Sequence, residues 1–378
     1  MSEIVVAPVS GKSDLRQFIE LPIRLYAGHK GYAPHITLER FEAFSPAKNP
    51  HFHHADAVFL LARRDGRPVG RIMAQVDRAH LERHADATGH FGLLDAEDDP
   101  RIFAALFAAA EDWLRARGMK RISGPFSVSI NDEVGQMVAG FDERAMLLMP
   151  YGPRWAPAHI AAAGYDKLID LHSYEYDVRQ APVTIGHRLV ERYGKGRVRV
   201  RPVDMSRFAE EVRTVVDIFN DAWQDNWGFV PMTEAEVTAA AKTLRPLVEP
   251  RLIWLAELDG VPSAMILTLP NLNEAVADMK GRLLPFNWAK LLWRLKVRRV
   301  KSGRVALMGV RMNLRNTPLG AALAMMVIDK LRENGLALGY HYAELGWILE
   351  TNAVTRRIIA QAGGREYKTY RLYSKPLA

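Results

Sequence analysis

Residues 61–68 read LARRDGRP, and residues 255–262 read LAELDGVP. In both stretches an Asp-Gly pair separates two apolar runs, which is the pattern of a β-hairpin with a tight two-residue turn. The second stretch repeats the first about half a chain length later. We therefore expect two copies of one structural unit.

Two further pairs of segments repeat in the same order along the chain. The first pair is GYAP at 31–34 and GFVP at 228–231. The second pair ends two long apolar-periodic helices, with Leu114, Arg115 and Gly118 answered by Leu331, Arg332 and Gly335. Each match alone is common, but three in order predict an internal duplication. The spacing also predicts an insertion in the second copy, between its hairpin and its long helix.

Each copy has the same predicted order of elements: helix, hairpin, strand, long helix, strand and closing hairpin. Strands interleaved with helices in this way predict an α/β class (an α+β mixed sheet) in two tandem domains. The periodicity is interrupted at residues 179–182 and again at the Gly-Lys-Gly run of 194–196. The predicted domains are 1–180 and 195–378.

The composition limits the compartment and the chemistry. The chain has 378 residues and no cysteine, which excludes disulfides and thiolate catalysis and fits a reducing compartment. Its N-terminus lacks a signal-like apolar core, and no apolar run reaches the roughly 20 residues of a membrane span. We expect a cytoplasmic protein.

The basic charge is concentrated in one segment. Nine Lys and Arg residues and no acid fall between positions 280 and 304, against a net charge of +8 for the chain. Within 284–299, five apolar residues share one helical face: Leu284, Trp288, Leu291, Leu292 and Leu295. This pattern predicts a peripheral contact with the inner membrane face or a cover over a lipid channel, and the alternative is a solvated helix docked on the domain. No nucleic-acid-binding motif accompanies it, so we expect no nucleic acid partner.

A strand-loop-helix segment of the second copy is suited to an anion. The apolar strand 305–310 runs into a polar loop and then a helix from about 319 to 333. A helix N-terminus offers free N–H groups and a positive dipole end, which suit a pyrophosphate, and Arg315 would add a charge-assisted hydrogen bond. The alternative is an ordinary turn capped by Asn316 or Thr317, with Pro318 at the first helical position.

These residues resemble the GNAT superfamily of acyl-CoA N-acyltransferases, whose loop reads Gln/Arg-x-x-Gly-x-Gly/Ala. Arg315 and Gly320 match that loop, whereas Pro318 stands at its middle glycine. Residues 343–352 look like the fifth strand of the family and the Asn that opens its last helix. The resemblance implies acyl-CoA as cosubstrate and no permanently bound cofactor. It places the acyl-CoA contacts at Met308, Val310, Arg315, Asn316, Leu319, Gly320, Ala321 and Asn352.

The resemblance also identifies two departures from the family pattern. Many members use a tyrosine of the last helix to protonate the leaving thiolate, but this chain has Ile358 and Ile359 there. The first copy has four acids within 95–99 where its cofactor loop should fall, and these would repel a pyrophosphate. We therefore expect the first copy to be degenerate for CoA and to shape the acceptor pocket.

Two polar runs resemble a narrower group, the tandem GNAT-like proteins that include bacterial ceramide synthases. These runs are residues 127–135 and 220–231. The resemblance implies amide formation between a long-chain acyl-CoA and a lipid amine of the sphingoid type. The alternatives are an N-acyltransferase of amino acids or other small amines, and a non-catalytic acyl-CoA-binding protein.

Direct transfer from a thioester needs a neutral amine, a polarised carbonyl and a protonated leaving thiolate. The candidate general bases are Glu344, Glu350, Asp132 and Glu133, each of which is alternatively a structural or solvated charge. Tyr342 or Tyr370 are candidates for the acid. The backbone of 308–310 is the candidate donor to the carbonyl, with Gly309 allowing a β-bulge.

Two histidine-rich segments, 51–54 and 80–84, have spacings that only partly match metal sites. The second has helical i, i+4 spacing, but its Glu is not adjacent to the first His as the zinc-protease motif requires. The sequence therefore predicts no metal site.

Overall fold

The computed structural model describes residues 3–181 and 185–377. Pro182, one of the residues that predict the domain boundary, lies outside the described residues. The elements of the first half are β1 (Ile4–Pro8), α1 (Gly11–Leu25), α2 (Thr37–Ala43), β2 (Ala55–Arg64), β3 (Arg67–Asp77), α3 (Arg78–His84), β4 (Thr88–Ala96), α4 (Pro100–Arg115), β5 (Arg121–Gly124), β6 (Phe126–Ser127), β7 (Glu133–Val134), β8 (Gln136–Ala139), α5 (Ala156–Ala162) and β9 (Asp166–Asp177). A 3₁₀ turn, Pro50–His53, precedes β2.

The second half follows the same order with additions. Its elements are α6 (Ile185–Tyr193), β10 (Val198–Pro202), α7 (Phe208–Trp223), α8 (Glu234–Leu244), β11 (Ile253–Leu258), β12 (Val261–Pro270), α9 (Leu272–Val276), α10 (Asn287–Trp293), β13 (Ser302–Val310), α11 (Pro318–Ala337), β14 (Tyr342–Leu349), α12 (Ala353–Gln361) and β15 (Arg365–Pro376). Short 3₁₀ turns span Met205–Arg207, Pro250–Leu252 and Met312–Leu314. The predicted mixed α/β class is confirmed.

Both Asp-Gly hairpins are confirmed. The turns join β2 to β3 and β11 to β12, and each Asp-Gly pair has positive φ at both residues: 50° and 76° at Asp65 and Gly66, and 51° and 81° at Asp259 and Gly260. Positive φ at both central residues is the signature of a type I′ turn, whose twist matches that of paired strands. The repeated sequence therefore marks a repeated turn geometry.

The halves are joined through their last strands. Within the described residues, thirteen strands form one sheet, and its central order is β5, β15, β9 and β14. The last strand of the first half, β9, pairs with β14 of the second half, while β15 pairs with both β9 and β5. The predicted closing hairpins are therefore wrong, because each half ends in a single long strand that pairs across the molecule.

Helices cover both faces of this sheet. In the first half, α4 packs on β3 with a core of Ile102, Phe103 and Leu106, and α1 covers the opposite face with Phe18. In the second half, α11 covers one face and α7 the other. Both faces of the strands are therefore buried, which fits their apolar composition.

The predicted insertion lies between β12 and β13, and its helix differs from the prediction. The five-residue apolar face of 284–299 is split, because α10 ends at Trp293 and continues as a π-helical turn, Arg294–Arg298. Leu291 and Leu295 pack against the core beneath α11, whereas Leu284 is 73% exposed. Arg294 anchors the segment through Asp278 at 2.6 Å. Among the described residues, no helix has the length and hydropathy to cross a bilayer.

Candidate active site

Two cavities lie between the halves. One, of about 730 Å³, is lined mostly by polar groups of the first half, including His80, His84 and His90. We call it the polar cavity. The other, of about 460 Å³, is lined by α7, α8 and the strands of the second half, and we call it the apolar cavity. Its apolar lining includes Val212, Val215, Phe219, Val237, Ala240, Leu244 and Leu267.

The two polar runs that resemble the ceramide synthase group meet at the wall between the cavities. Ser129 and Ile130 from one run and Trp227 from the other line both cavities. The runs are held together by a hydrogen bond from Asn131 Nδ2 to the carbonyl of Val230 at 3.3 Å. Segments nearly a hundred residues apart in sequence therefore form one wall.

The second half has a wedge between β13 and β14. These parallel strands pair only over residues 302–305 and 342–345, and then separate. Ala306, Leu307 and Trp347 line the apolar cavity where the strands diverge. The strand separation thus opens directly into the cavity.

The β-bulge of β13 is displaced from its predicted position. Its register against β12 skips Ala306, while Gly309 pairs regularly with Met265. The prediction that Gly309 permits a bulge is therefore wrong. Gly309 instead allows the close approach of α7, since a Cβ at this position would lie 3.0 Å from that of Ala222.

Backbone groups of β13 face the wedge. Trp223 Nε1 donates to the carbonyl of Met308 at 3.0 Å, so this carbonyl points away from β12. The N–H and C=O of one strand residue point to the same side, so the Met308 N–H also faces the wedge. The predicted contact at Met308 remains a prediction, as does that at Val310, which ends the strand.

The predicted phosphate loop is a 3₁₀ turn followed by the N-terminus of α11. Thr317 is the N-cap, and its Oγ1 accepts from the N–H of Gly320 at 3.0 Å. The N–H groups of Asn316 and Leu319 have no hydrogen-bond acceptor among the described residues. A Cβ on Gly320 would lie 2.1 Å from the carbonyl oxygen of Leu314. Glycine at this position therefore allows the loop backbone to pass close to the first turn of α11. Two free donors therefore remain for an anion.

Positive charge lies beside those donors. The Arg315 side chain is 42% exposed and lies 3.8 Å from Asp225, a distance beyond a direct hydrogen bond. Ala321 uses its N–H within the helix, donating to the carbonyl of Thr317. The predicted anion contacts at Arg315, Asn316, Leu319, Gly320 and Ala321 are thus adjacent in space and remain predictions.

Asp132 and Glu133 are neighbours in sequence but face different surroundings. Asp132 lines the apolar cavity and is accessible to solvent there, while partial desolvation by the surrounding cavity wall raises its pKa. Glu133 is buried, and its carboxylate lies 2.8 Å from His35 Nε2 and 3.4 Å from Arg40. Burial also raises the pKa of Glu133. Of these two carboxylates, Asp132 lines the apolar cavity.

Glu344 belongs to a buried charge cluster at the start of the wedge. Its Oε2 atom contacts Lys368 Nζ at 2.7 Å and accepts from the Tyr367 hydroxyl at 2.5 Å, and Arg304 Nε lies 3.7 Å from Oε1. Tyr370 interacts electrostatically with Glu344 and Arg304. Its buried hydroxyl has no hydrogen-bond partner among the described residues. Burial raises the pKa of Tyr370 far above its usual value. The carboxylate of Glu344 is thus paired with buried cations. This cluster holds β13, β14 and β15 together.

The remaining predicted residues lie apart from the cavities. Glu350 forms an ion pair with Lys167 at 2.6 Å, and Tyr342 is 38% exposed beside the guanidinium of Arg179. Asn352 is the N-cap of α12 and accepts from the N–H of Thr355 at 3.2 Å. Among the described residues, no hydrogen bond or ion pair joins these groups to Asp132, and their roles remain predictions.

Several residues that sequence reasoning missed are charged groups in buried strands. Arg304 lines the apolar cavity, and Lys368 is completely buried in β15. Trp223 and Trp347 meet edge to face at 5.6 Å beside the wedge. A signal existed in the sequence, because a charged residue inside an apolar strand needs a buried partner.

Comparison with known proteins gives full-length relatives. The bacterial ceramide synthase of Caulobacter vibrioides (strain NA1000 / CB15N) is 45% identical over 377 residues, covering 100% of this chain and 98% of the relative. Protein YghO of Escherichia coli (strain K12) is 44% identical over 369 residues, covering 97% of this chain and 94% of the relative. The chain belongs to the tandem GNAT-like N-acyltransferase family. No protein-family model matches it.

Solved structures support the fold of this tandem GNAT-like chain. A tandem GNAT protein from the clavulanic acid biosynthesis pathway superposes with a TM-score of 0.57 at 13% identity, covering 100% of this chain and 99% of the other. A GCN5-related N-acetyltransferase from Sphaerobacter thermophilus gives 0.54 at 13% identity, covering 99% and 96%. Two GNAT-like units in one chain are therefore an architecture that this protein shares with known structures.

Proposed function

We propose that the protein transfers a long-chain acyl group from acyl-CoA to the amino group of a sphingoid-type lipid amine, as the name of its ceramide synthase relative implies. The observation that carries the proposal is the apolar cavity. It opens into the wedge between β13 and β14 and contains the solvent-accessible carboxylate of Asp132. An amphipathic amine needs this combination of a largely apolar wall and an acidic group.

The donor side of the proposal rests on the second half. The free N–H groups of Asn316 and Leu319 bind the pyrophosphate at the N-terminus of α11, where the helix dipole favours negative charge. Arg315 adds a charge-assisted hydrogen bond. The pantetheine arm then enters the wedge and replaces Trp223 at the carbonyl of Met308.

The acceptor side rests on the lining of the apolar cavity. Aliphatic and aromatic groups of α7 and α8 form most of its wall, which favours a hydrocarbon chain. Amino acids or other small amines, the alternative substrates, would leave most of that apolar wall without a contact. The cavity therefore favours the lipid amine.

The chemistry follows from the position of Asp132. Its carboxylate takes the proton from the amine, the nitrogen attacks the thioester carbonyl, and the C–S bond breaks. One proton leaves nitrogen and one arrives at sulfur, so the same carboxyl group can return the proton to the thiolate. This route needs no tyrosine in α12, where the chain has Ile358 and Ile359.

Purified protein incubated with long-chain acyl-CoA and sphinganine or 3-ketosphinganine tests the activity. We expect thiol release together with an amide that mass spectrometry detects. Thiol release with amino acids or short amines, but not with the lipid amine, would favour the alternative substrates. Tight acyl-CoA binding without thiol release on any amine would favour the non-catalytic alternative.

A matched pair of variants on α8 tests the lipid cavity. Ala240 lines the cavity, whereas Thr238 is exposed on the same helix. We expect Ala240→Phe to lower kcat/KM for the long-chain amine by about tenfold, because the added ring fills space that the chain needs, and to leave a short amine less affected. Thr238→Phe should change neither value. Equal effects on both amines would contradict the assigned cavity.

We also propose that the insertion contacts the inner membrane face, where a lipid amine would be met by a cytoplasmic enzyme. Its exposed apolar residues are Leu284, Phe286, Trp288, Leu292, Trp293 and Val297. Among the described residues, Lys296 and Arg298 beside them form no ion pair. Exposed tryptophans with free basic groups suit an anionic interface.

Sedimentation with vesicles of anionic or neutral phospholipid measures this contact. We expect binding to anionic vesicles that salt weakens and that the double variant Phe286→Ser, Trp288→Ser reduces at least about fivefold. Val354→Ser removes an equally exposed apolar residue outside the insertion and serves as the control. Unchanged vesicle binding by the double variant would contradict the proposed contact.

A further inference from the structure

Two histidines of the first half meet one glutamate of the second half at the wall of the apolar cavity. His51 is the buried residue of the 3₁₀ turn Pro50–His53, His54 follows that turn, and Glu236 lies in the first turn of α8. Their ligand atoms all lie within 4.8 Å of one another. The sequence predicted no metal here because the third ligand is contributed by the other half.

The distances fit a single ion. Glu236 Oε1 lies 3.6 Å from His51 Nδ1 and 3.3 Å from His54 Nε2. Ligands placed about 2.0–2.1 Å from a tetrahedral ion are separated from each other by roughly 3.3 Å. The two distances to Glu236 thus match the edges of such a tetrahedron, and the two histidine nitrogens lie within 4.8 Å of each other.

The other ring nitrogen of each histidine is already held. His51 Nε2 lies 3.1 Å from Gln75 Oε1, and His54 Nδ1 lies 2.8 Å from Asp77 Oδ1. The amide of Gln75 is oriented in turn, because its Nε2 donates to the carbonyl of Val128. Such partners orient the rings of metal-binding histidines and leave the second nitrogen as a lone pair. Here the second ring nitrogen of each histidine, His51 Nδ1 and His54 Nε2, faces Glu236 Oε1.

Hydrogen bonding among these residues leaves one atom unsatisfied. The His51 side chain is 3% exposed, and its Nδ1 atom has no hydrogen-bond partner among the described residues. Glu236 Oε2 accepts from the N–H and hydroxyl of Thr233 at 2.7 and 2.8 Å, closing a capping box, so Oε1 is the atom directed at the histidines. Buried polar atoms are rarely left unpaired without a reason, and a bound cation supplies one.

We propose that His51 Nδ1, His54 Nε2 and Glu236 Oε1 bind one divalent cation, with Zn²⁺ as the best match to two imidazoles and a carboxylate. The ion ties α8 of the second half to the first half. His51 and Glu236 also line the apolar cavity, so the fourth coordination position faces it. This site is independent of the proposed acyl transfer and is tested without measuring activity.

The full chain, stripped with a chelator and dialysed against Zn²⁺, tests the site by elemental analysis and thermal unfolding. We expect one retained equivalent of Zn²⁺ and a Tm that rises with Zn²⁺ concentration. His51→Ala and Glu236→Gln should weaken retention by at least about tenfold, since each removes a ligand. Gln at this position can still close the capping box, so α8 keeps its cap.

Matched controls separate a built site from surface binding. His53→Ala removes the exposed histidine between the two ligands, and Glu234→Gln removes an exposed acid in the same helical turn. Both should retain Zn²⁺ like the wild type. Equal loss in His53→Ala, or no retained Zn²⁺ in the wild type, would overturn the site.

Co²⁺ provides a measurement that does not depend on the variants folding. We expect the wild-type chain to develop the visible absorption of four-coordinate Co²⁺, saturating at one equivalent and reversed by Zn²⁺. A Co²⁺ titration of the wild type without these bands would overturn the proposal even where the ligand variants fail to fold.

Discussion

The two halves begin their long helices in opposite ways. At α4 the carboxylate of Asp99 is the N-cap, accepting from the N–H of Arg101 at 2.9 Å, and hydrogen bonds from Arg101 hold its pKa well below the usual range. At α11 the N-cap is the neutral Thr317, with Arg315 beside two free N–H groups. Since one helix start already carries an anion, only the other has room for the pyrophosphate of a substrate.

The wedges differ in the same direction. In the first half, β4 and β5 pair over residues 88–90 and 121–123, and the chain then crosses the wedge. A Cβ on Gly92 would lie 1.5 Å from the carbonyl oxygen of Phe126, so backbone fills the space. In the second half the corresponding space opens into the apolar cavity. Duplication kept the scaffold, and this comparison supports a donor site in the second half with an acceptor wall supplied partly by the first.

The largest expected effect tests whether the first half contributes to the chemistry. We expect Asp132→Asn to lower kcat by about 10²–10⁴, because the amide cannot accept the amine proton. The raised pKa of Asp132 also predicts that kcat/KM rises with pH as this carboxyl ionises, at a higher pH than for an ordinary aspartate near 3.9. The measurement is a pH profile of amide formation. Asp142→Asn, at an exposed ion pair, is the control, and equal losses in both variants would count against Asp132 as the base.

A smaller effect distinguishes the two helix starts. We expect Arg315→Ala to raise the KM for acyl-CoA by roughly tenfold to a hundredfold, the value of a hydrogen bond to a charged group, with less change in kcat. Arg101→Ala removes a cation from the start of α4 and should leave this KM unaltered. Steady-state kinetics at saturating amine measures the KM for acyl-CoA of both variants. A larger KM change in Arg101→Ala would reverse the assignment of the donor half.

The smallest effect concerns the polar cavity. Burial lowers the pKa of His90 to about 3, so the folded protein keeps this ring neutral while the unfolded chain binds a proton below about 6.5. Stability is therefore lost as pH falls from 6.5 toward 3, by about 2 kcal/mol at pH 5 for this group. Urea unfolding at pH 7 and pH 5 should show a smaller loss in His90→Gln than in the wild type. An unchanged difference would contradict a buried neutral His90, and the exposed His53→Gln is the control.

Local patterns in the amino-acid sequence predict the repeat and its turn geometry. Asp65-Gly66 and Asp259-Gly260 predicted both hairpins because positive φ at two successive residues restricts the choice of amino acid. The same local reasoning predicted the start of α11, since Thr317 and Pro318 are signals of a helix N-terminus. Family resemblance identified the fold and the wall segments 127–135 and 220–231.

The groups that meet across the halves are set by the packing of segments that are distant in sequence. The exchange of β9 and β15 between the halves depends on long-range strand pairing. The sequence of a strand does not specify which distant strand it pairs with. The same is true of Asp132, which lines a cavity completed by α7 and α8, while Glu350 and Tyr342 lie elsewhere. His51 and Glu236 come together because two halves pack, and local spacing contains no information about a partner in another half.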